Sequence, residues 1–248
     1  MTVQTSVNRS NALTDPRFLI AAARRILYRN GIDSQVAGHI SLRVPGEDAF
    51  LVSPSEYFDE TLPAHILKVG FDLEVREAGP FPPQPGINFH ADIYRARPDV
   101  NCIIHTHGKN VSIVSTLGKP PEPFHAYGAL FQDDAVLFRD DPNITPDKEG
   151  PELAAALADK RALLIANHGV IHAGGTIEET TGEALMLDIA AGIQIEAARI
   201  GGTPMEVETA RTYRRLYLAI SFRKDLWDAN LRRLEKSDPD LFAAAFGI

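Results

Sequence analysis

The sequence predicts an α/β fold in which a largely antiparallel sheet is flanked by helices. Short segments rich in β-branched and aromatic residues, such as 39–44 and 49–53, are separated by turn residues typical of a hairpin. Other segments carry apolar residues at helical spacing, and the two kinds interleave without the regular strand–helix–strand spacing of a parallel sheet. No linker rich in Pro, Gly or Ser divides the 248 residues, so residues 15–248 are expected to form a single domain.

The first half of the chain opens with a polar segment, residues 1–14, that is predicted to be disordered. A helix follows, with Asp15 as its N-cap, Pro16 at its first position and Gly31 at its end. The next expected elements are the hairpin at 39–44 and 49–53, a strand at 69–75, a proline-rich loop at 77–87, a helix from Asn88 to Pro98 and a strand at 101–107.

The second half is predicted to be richer in helix. The expected elements are a helix at 108–117, a strand at 135–138, a helix at 151–159, a strand pair within 161–175 and a long helix from Thr176. From about residue 204, two or three amphipathic helices are expected to pack on the body of the protein or on a neighbouring subunit.

Composition narrows the classes of partner. A net charge of -8 argues against nucleic acid and anionic membranes, because both require clustered Lys and Arg. The N-terminus lacks the apolar region of a signal peptide, and no stretch approaches about 18 uncharged apolar residues. Cys102, the single cysteine, lies in an apolar run and is expected to be a core residue rather than a nucleophile. We therefore expect a cytoplasmic protein that acts on a small molecule.

Two histidines in the strand at 101–107 are candidate metal ligands. His105 and His107 are two residues apart, so in a strand their side chains project to the same face and can share one ion. The pattern is equally compatible with two hydrogen-bonded polar residues. His168 is the best candidate for a third ligand, because it follows an apolar strand and precedes Gly169, although it could be an ordinary turn residue. Three imidazoles with an open position would make a catalytic site.

These segments resemble the class II aldolase/adducin family, which includes fuculose-phosphate aldolase and ribulose-phosphate epimerase. The similarity lies in AGHISLR, in INFHADIYRARPDVNCIIHTHG and in LLIANHGVIHAGGTIEE, and runs from about Leu19 to Ile200. The resemblance implies a three-layer α/β/α sandwich around a mainly antiparallel sheet, usually in a homotetramer. It also implies that His105, His107 and His168 bind a divalent ion, most often zinc, with iron and manganese as alternatives.

The chain departs from the family pattern where the sugar-phosphate aldolases carry Ser-Ser-Glu. These positions hold Gln84, Pro85 and Gly86, so the glutamate that acts as acid/base is absent at position 86. The family's phosphate-binding asparagine aligns with His39, and a phosphate-binding glycine aligns with Glu56. A carboxylate repels a phosphate dianion and proline has no amide hydrogen. We therefore expect a non-phosphorylated substrate.

Three hypotheses follow for function. The first is a metal-dependent carbon–carbon lyase for an oxo or hydroxy acid, with decarboxylation preferred because the departing CO2 needs no base. The second is a non-heme iron(II) oxygenase on the same three histidines, as in the family's aminocoumarin-pathway branch. The third is a non-catalytic, adducin-like interaction domain, against which the intact histidine set counts.

Four further residues are candidates for contact with the substrate. His125 and Tyr127 are predicted as proton donors or acceptors, with loop packing as the alternative. His39 and Ser41 share one strand face and are predicted to bind substrate, with core hydrogen bonds as the alternative.

Three more polar or aromatic residues are expected to be structural. His90 and Tyr94 are four apart on one helix face and should form hydrogen bonds, and His172 should pack within its strand.

Overall fold

The computed structural model describes residues 9–139, 141 and 143–247, which are built around one eight-stranded sheet. The strands are β1 (His39–Arg43), β2 (Ala49–Val52), β3 (Leu67–Gly70), β4 (Val75–Glu77), β5 (Cys102–Thr106), β6 (Ala135–Phe138), β7 (Ala162–Ile165) and β8 (Gly169–Gly174). Their order across the sheet is β4-β3-β2-β1-β5-β8-β7-β6. Among the strands of the described residues, only β6 and β7 pair in parallel, so the prediction of a mainly antiparallel sheet is confirmed.

Helices cover both faces of the sheet. They are α1 (Arg9–Leu13), α2 (Pro16–Arg29), α3 (Asn88–Ala96), α4 (Lys109–Ser115), α5 (Ala126–Ala129), α6 (Pro146–Leu157), α7 (Ile177–Arg199), α8 (Val207–Ala219), α9 (Phe222–Ser237) and α10 (Pro239–Phe246). As predicted, Asp15 caps α2 by accepting a hydrogen bond from the Arg17 amide at 2.8 Å.

The strand in the middle of the sheet shows how the layers are arranged. Ile103 and Ile104 on β5 point to opposite faces because side chains alternate along a strand. Ile104 packs in a cluster with α2, α7 and α10, whereas Ile103 packs with α3 and α6. Each fully buried aliphatic side chain contributes about 1.5–3 kcal/mol, so both layers stabilise the sheet. Cys102 is fully buried on the α2 side, which agrees with its predicted core position.

Three predictions of local structure need correction. The segment 69–75 is not one strand but the turn between β3 and β4, because the Asp72 side chain accepts from the Glu74 amide at 3.1 Å and closes a local turn. The helix predicted at 151–159 begins earlier, at Pro146. Within the segment predicted to be disordered, α1 is helical, and residues 1–8 lie outside the described residues.

The C-terminal helices pack on the body of the same chain. Glu183 on α7 is buried and accepts from Arg161 at 2.8 Å and from Arg223 of α9 at 2.6 Å. This ion cluster ties α9 to α7 and to the start of β7. Among the helices of the described residues, none combines the length and apolar character that a membrane span requires.

Candidate metal centre

The three histidines predicted as ligands converge at one end of the central strands. His105 lies on β5, His107 follows the end of that strand, and His168 lies in the turn that joins β7 to β8. The Nε2 atom of His107 is 2.9 Å from Nε2 of His105 and 2.9 Å from Nε2 of His168. The ligand atoms of all three lie within 4.8 Å of one another.

A tight turn brings His168 to this point. Asn167 has a left-handed backbone with φ of 59°, and the His168 amide donates to the Ile165 carbonyl at 3.1 Å. The next residue must be glycine, because a β-carbon on Gly169 would lie 2.4 Å from the Thr106 carbonyl oxygen and 2.8 Å from Cδ2 of His107.

Hydrogen bonds to the backbone hold the three residues in position. His105 Nδ1 donates to the Val170 carbonyl at 3.0 Å, which leaves the lone pair of Nε2 directed at the other two histidines. The His107 amide donates to Ser34 Oγ at 2.7 Å, and Ser112 Oγ donates to the His168 carbonyl at 3.1 Å. The site is therefore pre-organised by residues from several separate segments.

Burial keeps two of these imidazoles neutral. Desolvation, followed by the charge of neighbouring histidines, holds the pKa of His105 well below its ordinary value, and desolvation lowers the pKa of His107 to about 4. Neutral imidazoles are the form that binds metal.

The three nitrogens cannot satisfy one another by hydrogen bonds alone. His107 Nε2 carries either a hydrogen or a lone pair, so it cannot form good linear bonds to both neighbours at 2.9 Å. A divalent cation, at about 2.0–2.1 Å from each nitrogen for zinc, would satisfy all three. In the described part of the chain, no carboxylate joins this group, which agrees with the glycine at position 86.

A second set of polar residues lies beside the metal ligands. His39 is opposite His105 in the register of β1 and β5, and their ring centroids are 4.9 Å apart. His39 Nδ1 is 2.6 Å from His90 Nε2, and His90 Nδ1 is 2.6 Å from Ser41 Oγ. Ser41 Oγ is in turn 2.7 Å from Tyr94 Oη. Sequence reasoning expected hydrogen bonds for His90 and Tyr94 but missed that they support His39.

Ser41 is used inside the protein rather than offered to a substrate. Its side chain has no exposed surface, and its hydroxyl is engaged by His90 and Tyr94. The expected substrate contact of Ser41 is therefore replaced by a supporting contact to His90. His39 does lie at the site: a β-carbon placed on Gly86 would be 3.2 Å from its Nε2.

His125 and Tyr127 do not join the metal centre within one chain. His125 caps α5 by accepting from the Tyr127 amide at 3.2 Å. The Tyr127 ring packs against Tyr217 and Phe222 of the C-terminal helices. In the structure as described, no hydrogen bond or ring contact links either residue to the three ligands, and their catalytic role stays a prediction. His172 packs within β8 as expected, with both ring nitrogens buried and without a partner.

Comparison with known families identifies this arrangement. The family described as the Class II Aldolase and Adducin N-terminal domain matches residues 19–195, which include all three ligands and His39. The chain belongs to the class II aldolase and adducin family. The α/β architecture is the one that the resemblance to this family implied.

Several relatives show the range of activities named in this family. The chain is 30% identical over 239 residues to 4-hydroxy-3-prenylphenylpyruvate oxygenase/4-hydroxy-3-prenylbenzoate synthase of Streptomyces roseochromogenus subsp. oscitans, covering 92% of this chain and 85% of that protein. It is 27% identical over 205 residues to 3,4-dihydroxyphthalate decarboxylase of Arthrobacter keyseri, covering 75% and 80% respectively. A crystal structure of an aldolase II superfamily protein from Pseudomonas syringae superposes with a TM-score of 0.82 at 26% identity, covering 92% of this chain and 95% of that one.

Proposed function

We propose that this protein is a divalent-metal-dependent carbon–carbon lyase that acts on a non-phosphorylated oxo or hydroxy acid, possessing decarboxylase rather than aldolase activity. The observation that carries the proposal is the convergence of three imidazole nitrogens without a carboxylate among the described residues of the group, in a chain that has Gly86 where the family's glutamate would stand. Such a site keeps the metal ligands of the family and lacks the acid/base of aldol cleavage.

The ligands would be His105, His107 and His168, with zinc as the preferred ion and Fe2+ or Mn2+ as alternatives. A bound ion would act there as a Lewis acid for adjacent oxygens of the substrate. The protein itself keeps His105 and His107 neutral by burial, orients His105 through its bond to the Val170 carbonyl, and presents His39 next to His105. An ortho-hydroxy carboxylate or a 2-oxo acid offers the adjacent oxygens that this arrangement requires.

The residues beside the site favour an acid without a phosphate. Pro85 has no amide hydrogen to donate, and Gly86 offers no charged side chain. Glu56, at the position that aligns with a phosphate-binding glycine of the family, is buried, and its carboxylate lies 2.8 Å from His65 Nδ1. For the proton that replaces CO2, His125 or Tyr127 remains the proposed donor.

A second candidate function is an iron(II)-dependent oxygenase with oxidative decarboxylation on the same three histidines. It is favoured by the similarity to the Streptomyces roseochromogenus protein, which covers 92% of this chain and is named as an oxygenase. Imidazole is a suitable ligand for iron(II) and for zinc, so the ligand type alone does not decide between the two ions. The third hypothesis is a non-catalytic interaction domain like adducin. The presence of all three candidate metal ligands argues against it.

One experiment separates these functions. The protein is purified anaerobically, its metal content is measured, and 2-oxo acids and hydroxybenzoates are screened while CO2 release and O2 uptake are followed together. The lyase predicts CO2 release without O2 uptake. Product formation coupled to O2 uptake would replace the lyase with the oxygenase, and a protein with no stoichiometric metal and no turnover would favour the interaction domain.

We also propose that the protein assembles as a homotetramer. Large apolar side chains are exposed on α7 and α8, among them Ile189, Ile200, Leu216 and Ile220 at the end of α8. Exposed apolar patches commonly mark interfaces. Light scattering after size-exclusion chromatography should give about four times the 27.1 kDa chain mass; a monomeric mass would contradict the proposal.

A further inference from the structure

The helix α4 begins two residues after the candidate ligand His107 and has no cap of its own. Its N-cap position is Gly108, which has no side chain to accept from the first amides of the helix. A larger residue is disfavoured there, because a β-carbon on Gly108 would lie 2.9 Å from Asp188 Oδ1 and 2.9 Å from Cγ2 of Ile32. The amides at the start of α4 therefore depend on acceptors other than a side chain at the N-cap.

Asp188 of α7 supplies such an acceptor. Its Oδ1 accepts from the Val111 amide at 3.3 Å, and its Oδ2 accepts from Asn110 Nδ2 at 2.9 Å. The atoms themselves fix the direction of both bonds. A backbone N–H only donates, and the Asn110 side-chain nitrogen also faces the Asp188 carbonyl oxygen, which only accepts, at 3.3 Å. The side chain of Asp188 thus acts as an N-cap that another helix contributes.

Close packing holds Asp188 in place against α4. Asp188 is 6% exposed, so little water competes for its oxygens. Its neighbour Leu187 is buried in one apolar cluster with Val111 of α4. One turn later on α7, a β-carbon on Gly192 would lie 2.9 Å from Asn110 Nδ2, so the glycine leaves room for the Asn110 side chain. The position of α7 therefore determines the position of the first turn of α4.

The helix α4 in turn contacts two of the three candidate metal ligands. His107 is joined directly to Gly108, the N-cap of the helix. Ser112, at the end of the first turn, donates from its hydroxyl to the His168 carbonyl at 3.1 Å. A displacement of the first turn would therefore move His107 through the backbone and His168 through Ser112.

We propose that Asp188 is a positioning residue for the metal centre, and that by capping α4 it fixes the places of His107 and His168 relative to His105. In the described part of the chain, no hydrogen bond joins Asp188 to any of these histidines, so it acts through the helix. The inference rests on the metal centre of the proposed function but not on its reaction.

Four variants separate positioning from simple stabilisation of the fold. Asp188→Ala removes both acceptor oxygens of the side chain, whereas Asp188→Asn has nearly the same shape and keeps one acceptor oxygen for the Val111 amide. Asn110→Ala removes one of the two donors. Val114→Ala is the matched control, because Val114 is fully buried in the cluster between α4 and α7 and its side chain makes no hydrogen bond to the cap.

The first readout is the zinc affinity of the full-length protein, measured by competition with a chelator. Asp188→Ala should weaken zinc binding by about 3- to 30-fold, the range that corresponds to the loss of a helix cap. Asp188→Asn should recover most of this affinity, and Asn110→Ala should weaken it by about 2- to 10-fold. Val114→Ala should unfold at a lower urea concentration than wild type but keep its zinc affinity.

The second readout is the visible absorption spectrum of the cobalt(II)-loaded protein, which depends on the geometry of the ligands. The spectrum should change in Asp188→Ala and remain that of wild type in Val114→Ala. Wild-type affinity and spectrum in Asp188→Ala would overturn the inference, as would equal losses of affinity in Asp188→Ala and Val114→Ala, or in Asp188→Ala and Asp188→Asn. If Asp188→Ala does not fold, wild-type affinity and spectrum in Asn110→Ala overturn it instead.

Neither readout requires turnover, so a failure of the lyase reaction is detected separately, by the absence of CO2 release from a protein that binds zinc. A wild-type protein that binds neither zinc nor cobalt would overturn both this inference and the proposed function.

Discussion

Two groups of histidines lie side by side in this protein, and their buried ring nitrogens find partners in different ways. His39 and His90 are fully desolvated, and one hydrogen between them satisfies both nitrogens at 2.6 Å. His105, His107 and His168 bring three nitrogens to one point, where one hydrogen cannot satisfy two contacts. One hydrogen is enough for the contact between His39 and His90, whereas the three nitrogens of the triad need a cation to satisfy them together.

The difference shows that burial and a low pKa do not by themselves identify a ligand. His39 and His105 face each other in the same register, and burial lowers the pKa of both. The two residues differ in the contacts of their ring nitrogens: one nitrogen of His39 contacts His90, whereas Nε2 of His105 lies among the nitrogens of the other two candidate ligands.

His107→Ala should abolish stoichiometric metal binding. His107 Nε2 is the atom that contacts both other ligands, so its loss leaves two imidazoles for one ion. The loss of affinity should exceed the roughly 10- to 100-fold effect of changes outside the ligand set. Metal content after dialysis measures it, with His125→Ala as the matched histidine control. Full metal content in His107→Ala would show that the triad is not the binding site.

Gly169→Ala should damage both the fold and the metal centre. The added carbon would clash with the Thr106 carbonyl and with the His107 ring, at a cost of about 1–3 kcal/mol in the free energy of unfolding. Urea unfolding and zinc titration measure the two effects. Gly175→Ala is the matched control, because a β-carbon there meets no atom within 4 Å. Equal behaviour of the two variants would refute the role assigned to Gly169.

His172→Leu should stabilise the protein in mild acid. His172 has neither a cation nor a hydrogen-bond partner, and burial lowers its pKa to about 3. Between its unfolded pKa near 6.5 and about 3, the unfolded chain binds a proton that the folded chain does not, so stability falls as pH falls.

At pH 5 this group should cost about 2 kcal/mol relative to neutral pH. Denaturant unfolding of metal-free protein at pH 7 and pH 5 measures the loss, which should be smaller in His172→Leu. An identical loss of stability in variant and wild type would mean that His172 is not neutral in the fold.

Ser112→Ala should have the smallest effect, a decrease in zinc affinity of about 2- to 10-fold. Ser112 does not touch a ligand nitrogen but donates to the His168 carbonyl, and one hydrogen bond contributes about 0.5–1.5 kcal/mol. Competition with a chelator measures it. Thr116→Ala removes a hydroxyl from the turn that ends the same helix, where it bonds only within that turn, and should leave the affinity unchanged. A greater decrease in Thr116→Ala than in Ser112→Ala would contradict this account.

Most elements of the fold could be predicted from the sequence because their signals are local. The cap and proline of α2, the alternation in β1, the apolar run of β5 and the glycines after α7 are each signals within a few residues. The errors lie where a short side-chain contact replaces periodicity, as at Asp72, whose turn divides a segment predicted as one strand. The start of α6 at Pro146 was missed because that segment has few apolar residues to mark a period.

The sequence by itself determined the chemistry available at the site: two histidines on one strand face, a third before a glycine, and no carboxylate at position 86. These are properties of residue type and spacing. Only the tertiary structure decided which polar residues act together. It placed Ser41 and Tyr94 behind His90, and turned Tyr127 toward the C-terminal helices. Such contacts join residues far apart in the chain, and their direction depends on how strands and helices pack, which no local pattern encodes.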